Sequence, residues 1–147
     1  MIGRMAKPLP SPPPDGFRVD ERAAQRAFDD FEIGLARGVA SVDPKNLKAL
    51  HMLGQALTRR RRHQEALAVD LELSSLCPKD PVVHYNLACS YSNLEDLDGA
   101  FDALGRAFEL GYNDYKHLLR DPDLENVRRD GRFRKLLNRK WGKRQPE

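Results

Sequence analysis

LKALHMLGQALTRRRRHQEALAVDLELSSLCPKD, residues 47–80, runs directly into PVVHYNLACSYSNLEDLDGAFDALGRAFELGYND, residues 81–114. Laid one over the other at an offset of 34, the two stretches match at a set of apolar and small positions. Leu53 falls over Leu87, Gly54 over Ala88, Leu57 over Tyr91, Ala66 over Ala100, and Leu73 over Ala107. Small residues recur where two helices must approach closely, and large apolar ones recur where space must be filled. A fixed period of this length is the mark of stacked supersecondary units.

The period, with two helices to a unit, resembles that of the tetratricopeptide repeat. Leu50, Leu53, Gly54, Leu57, Ala66 and Pro78 fit the family pattern in the first unit; Leu87, Ala88, Tyr91, Ala100 and Ala107 fit it in the second. Two positions depart from it: Asp70 stands where an aromatic is usual, and Tyr112 replaces the closing proline. Pro44 holds the place of a closing proline for a preceding unit, so the segment before it resembles the second half of a degenerate repeat. The resemblance implies an all-α, right-handed α-solenoid of antiparallel helix pairs, finished by a C-terminal helical cap.

Working outward, the chain divides into six parts. A proline-rich tail (1–17), with Pro8, Pro10, Pro12, Pro13 and Pro14, cannot bury enough surface to order itself and should be flexible. Inside it Lys7, Pro10 and Pro13 match the K-x-x-P-x-x-P spacing of SH3 ligands, a pattern of low specificity. A leading helix (18–43) carries Ala24, Ala27, Phe28, Phe31, Leu35 and Val39 on one stripe. The two units follow as 44–80 and 81–114, with Asn46 suited to cap the first helix. Residues 115–141 are read as the cap, and 142–147 as a tail. The cap stretch DPDLENVRRDGRFRKLL (121–137) resembles a segment that often closes arrays of these repeats. Asp121-Pro122 is a helix start, and Leu124, Val127, Phe133, Leu136, Leu137 and Trp141 offer apolar faces to cover the last unit.

The net charge of +3 is unevenly spread: Arg59–Arg62 and the segment from Arg128 to Arg144 are basic, while the remainder is acidic. At the 34-residue offset the arginine run lies over Asn93-Leu94-Glu95-Asp96, so it marks the end of one helix and the turn to its partner. Only Arg59 is then expected to meet a ligand.

No catalytic constellation is present. His51, His63, His84 and His117 form no metal-ligand spacing, and there is no nucleophile elbow or phosphate-binding glycine loop. Cys77 and Cys89 form no CxxC pair, which is consistent with reduced thiols in a cytoplasm; Cys89 is read as a packed thiol. No run approaches the roughly 18 apolar residues of a membrane span, and prolines interrupt the place of a signal peptide's apolar region. The expectation is therefore a cytoplasmic protein that is not an enzyme and needs no cofactor or metal.

The family register implies a groove lined by the first helix of each unit. Its positions are Lys48, His51, Met52, Gln55, Thr58 and Arg59, then Val82, Tyr85, Asn86, Cys89, Ser92 and Asn93. A protein or peptide segment is the expected occupant, and the chain an interaction scaffold or adaptor. Asn86, with Lys116 and Arg120, matches part of a carboxylate clamp, though His51 and Gln55 replace the clamp's other two residues. Alternatives are a small secretion-type or carboxylate-clamp co-chaperone. A further one is nucleic-acid or anionic-membrane binding through Arg134, Lys135, Arg139 and Lys143 of the basic C-terminal helix. That last alternative is disfavoured because no base-stacking aromatics interleave with the cations. A homo-oligomer formed through exposed helix faces is also open.

Overall fold

The computed structural model describes residues 20–142, and the proline-rich stretch with its SH3-like spacing lies outside them. Among the described residues the chain is all-helical, without strands. Its helices are α1 (Glu21–Val42), α2 (Leu47–Arg59), α3 (His63–Leu76), α4 (Pro81–Asn93) and α5 (Leu97–Glu109). There follow α6 (Tyr115–Arg120), a 3₁₀ turn (Pro122–Leu124), α7 (Glu125–Arg129) and α8 (Gly131–Trp141). From α1 to α5 each helix packs on its neighbour in sequence.

Local chemistry sets the boundaries. Asp20, Asn46, Asp80, Asp96 and Asp114 each accept a backbone N–H at a helix start, an arrangement worth about 1 kcal/mol apiece. The α2–α3 and α4–α5 turns are built alike: Arg61 (φ 57°) and Glu95 (φ 60°) take the left-handed conformation at positions 34 apart. One difference separates the turns. Asp96 caps α5, whereas its counterpart Arg62 caps nothing and instead pairs with Glu65.

Burial follows the period through α2–α5. Leu57, Ala66, Leu73, Ala88, Ala100, Leu104 and Ala107 are all fully enclosed. Close approach at Gly54 is literal, since a Cβ there would lie 3.2 Å from Asp70 Oδ1 and 3.5 Å from Val69. The core has two parts. One joins Ile33 and Ala36 to α2, α3 and Val83; the other joins α4 and α5 to Tyr115, Leu118, Leu124, Val127, Phe133 and Leu137. The expected cap faces are thus the ones buried, and Trp141 sits edge-on to Phe108 and Tyr115 at 5.1 and 5.0 Å.

The leading helix packs the other way round from the usual rule. Phe28, Phe31, Leu35 and Val39 do share a stripe, but it is exposed; α1 meets α2 through Asp29, Ile33 and Ala36. Ion pairs fasten that contact, with Arg59 on Asp29 and Glu32, and Arg60 on Asp30. Asp29 is buried, and Arg59 and Arg60 of the arginine run tie α2 back to α1.

Candidate functional site: a cavity between two helices and the cap

α2 and α4 are the first helices of the two units, and between them lies a cavity of about 330 Å³. His51, Gln55, Thr58 and Arg59 line it from α2, and Tyr85, Asn86 and Cys89 from α4. Asp70 and Leu73 of α3 form part of its floor. The remaining wall is the capping segment itself: His117, Asp121, Pro122 and Asp123. Groove residues far apart in sequence are therefore brought together, and the cap closes over them.

Asp121 organises that closure. Its backbone geometry begins the 3₁₀ turn, and its side chain accepts from the Asp123 N–H at 2.9 Å. The other carboxylate oxygen accepts from the Tyr85 hydroxyl at 2.7 Å and from the Cys89 thiol at 3.7 Å, with His117 Nε2 3.2 Å away. One helical step on, Asn93 Nδ2 donates to Asp123, and Asn126 Nδ2 donates to the Ser92 carbonyl. Arg128 donates to the carbonyls of Leu118 and Asp121, which holds the turn from behind. Burial, with the nearby Asp121 carboxylate adding to it, pushes the Cys89 thiol far up. Burial likewise raises the Tyr85 hydroxyl out of any titrating range, and that of the stacked Tyr112 to about 12.

Several expected groove residues are placed otherwise. Lys48 is exposed and does not line the cavity, and Met52 packs against the first core cluster. Val82 lines an adjoining depression beside Tyr112 and Asn113, which shares Tyr85, Asn86 and His117 with the cavity. Ser92 is fully buried with no partner for its hydroxyl, and Asn93 is taken up by Asp123. Arg59 reaches the cavity but spends its guanidinium on Asp29 and Glu32, not on an open ligand position. Lys116 and Arg120, expected beside Asn86, are exposed and stand outside the cavity; His117 lines it in their place. The short α6 ends at Arg120 because the Asp121-Pro122 start interrupts it. Asp70, Asp121 and Asp123 stand in the walls beside Arg59, His51 and His117, and the two cations expected for a carboxylate clamp do not.

Sequence reasoning missed the acidic wall and Asp70. The signals are present: Asp70 stands where an aromatic is usual, which leaves room, and the helix start at Asp121-Pro122 also brings Asp121 and Asp123 to the cavity wall. Asp70 is buried and accepts from Ser90 Oγ at 2.5 Å. Burial outweighs that hydrogen bond and raises its carboxyl from 3.8 to about 6. A folded-state value above the unfolded one adds stability that is complete below the ordinary carboxyl range and lost as pH rises through about 6. Asp70→Asn should therefore be more stable than wild type at pH 8, by roughly 2–3 kcal/mol, and the gap should close by about pH 4. Urea melts of both proteins at the two pH values check this.

The basic C-terminal helix is partly committed to the fold. Arg132 pairs with Asp98 and Asp130 and lies over the Phe101 ring, and Lys140 donates to the Phe108 carbonyl at 3.0 Å. Arg134, Lys135 and Arg139 are exposed. Among the described residues there is no His, Cys, Asp or Glu group suited to a metal, and no helix long and apolar enough to cross a membrane.

Over 56 residues, 38% of the chain, the sequence is 43% identical to a chloroplastic protein of Arabidopsis thaliana. The match spans only 17% of that relative's length. No family model and no solved structure matches the chain.

Proposed function

We propose that the chain is a non-enzymatic adaptor, built as a right-handed α-solenoid of two tetratricopeptide-like helix pairs, which binds a peptide or protein segment between α2 and α4. The solenoid reading rests on the 34-residue recurrence of burial and of left-handed turn residues. One observation carries the binding reading: a cavity between α2 and α4 walled by the Gln55 and Asn86 amides and by His51 and His117. Amides both donate and accept, which suits the alternating groups of an extended backbone. The acidic walls favour an internal segment or a basic side chain over a free C-terminus.

Peptides selected by display against the whole chain provide the test, read by fluorescence anisotropy. Gln55→Arg/Asn86→Arg should weaken the selected peptides at least about tenfold, the equivalent of roughly 1.4 kcal/mol, with helix content unchanged. Amidating the peptide C-terminus should cost nothing. Equal binding by the variant contradicts the groove reading.

A further inference from the structure

Asp70 lies in the floor of the α2–α4 cavity, and the helices around it use only half of its carboxylate. The residue is 5% exposed, and Ser90 Oγ donates to its Oδ2 at 2.5 Å. Among the described residues, Oδ1 has no hydrogen-bond or ion-pair partner. It faces Gly54, whose missing side chain leaves it room: a Cβ there would lie 3.2 Å away. Gly54 and Asp70 both line the cavity, so the unpaired oxygen borders it. A buried carboxylate answered by a single hydroxyl costs the fold stability, as its rise to about 6 records. A cation against Oδ1 would offset that cost.

The described cations are engaged elsewhere. Arg59 lines the cavity but is spent on Asp29 and Glu32. None of the described lysines or arginines forms an ion pair with Asp70, Asp121 or Asp123, and His117 lies 3.2 Å from Asp121.

We infer that the segment bound between α2 and α4 belongs to a partner protein and is anchored by a lysine whose ammonium reaches Asp70 Oδ1. The inference rests on the groove reading above and names the side chain which that groove takes. Leu73, Tyr85 and Pro122 line the same cavity and give apolar surface for the four-carbon stem. Lysine suits the place better than arginine. With Oδ2 held by Ser90, the carboxylate offers one oxygen, which satisfies a point charge but not a two-pronged guanidinium.

Display-selected peptides that bind the full chain and lose affinity for Gln55→Arg/Asn86→Arg are the probe. They should share one lysine. Norleucine in its place, which keeps the stem and drops the charge, should weaken binding at least about tenfold by fluorescence anisotropy, and arginine should bind more weakly than lysine. Asp70→Asn keeps an oxygen for Ser90 and should fold. It should bind the lysine peptide at least about tenfold more weakly and no longer distinguish it from the norleucine one. Asp123→Asn should keep that preference.

Groove-dependent peptides without a lysine, or a norleucine or arginine peptide that binds as well as the lysine one, overturn the inference and leave the groove reading standing. A lysine preference that survives Asp70→Asn, or vanishes in Asp123→Asn, overturns it by placing the charge contact elsewhere. Lys7→Gln/Lys143→Gln should leave peptide affinity unchanged; a tenfold gain would show the chain's own lysine competing for the floor and overturn the assignment to a partner. If no selected peptide depends on Gln55 and Asn86, the groove reading fails first and this inference with it.

Discussion

Ala88→Arg is expected to abolish cooperative folding. Ala88 is completely buried on α4, in the cluster that also holds Ala100, Ala103 and Leu104. Its 34-residue counterpart, Gly54, is small for the same reason: two helices touch there. Arginine would have to force them apart, an overpacking cost of about 1–3 kcal/mol. It would also bury a guanidinium without a partner, which costs several kcal/mol more. A domain of this size is stable by roughly 5–15 kcal/mol in all, and stacked helix pairs share that stability with their neighbours. Circular dichroism should show little helix and no melting transition. A melt like that of wild type would mean that the α4–α5 contact has been assigned to the wrong residues.

Asp121→Ala is expected to cost about 3–5 kcal/mol in urea unfolding. The change strips the start of the 3₁₀ turn of its cap, worth about 1 kcal/mol. It also leaves the Tyr85 hydroxyl, on a residue 3% exposed, without its acceptor, at about 1–3 kcal/mol. The Cys89 thiol and His117 lose the same oxygen. Asp121→Asn keeps an acceptor for Tyr85 and should lose less than half as much. If the alanine variant melts like wild type, the cap is held by its apolar residues alone and Asp121 is incidental to closure.

The parts of the fold legible in the sequence were those written twice. Gly54 and Ala88, Leu73 and Ala107, or Ala66 and Ala100 each check the other, and the burial follows. The arginine run could be assigned to a turn by the same overlay. What it grips could not, because Asp29, Asp30 and Glu32 lie on a helix with only half a counterpart. The orientation of α1 was hidden for a related reason: its apolar stripe of Phe28, Phe31, Leu35 and Val39 is the exposed face, and α1 meets α2 through Asp29, Ile33 and Ala36 instead. A stripe alone does not say which face the neighbouring helix takes. The cavity was half legible. His51, Gln55, Tyr85, Asn86 and Cys89 followed from register, but the wall made by Asp121 and Asp123 depends on how a short interrupted helix returns to α4. Register carried past the last unit pointed to Lys116 and Arg120 instead of His117, since Pro122 ends the helix before the period can continue.

The most direct test of the peptide-binding reading is an amide NMR titration of the whole labelled chain with a display-selected peptide. Shifts are expected to concentrate on α2 and α4 around Gln55 and Asn86, and on residues 121–123 that close the cavity. Shifts confined to α8 and its exposed Arg134, Lys135 and Arg139, with α2 and α4 silent, would contradict the account.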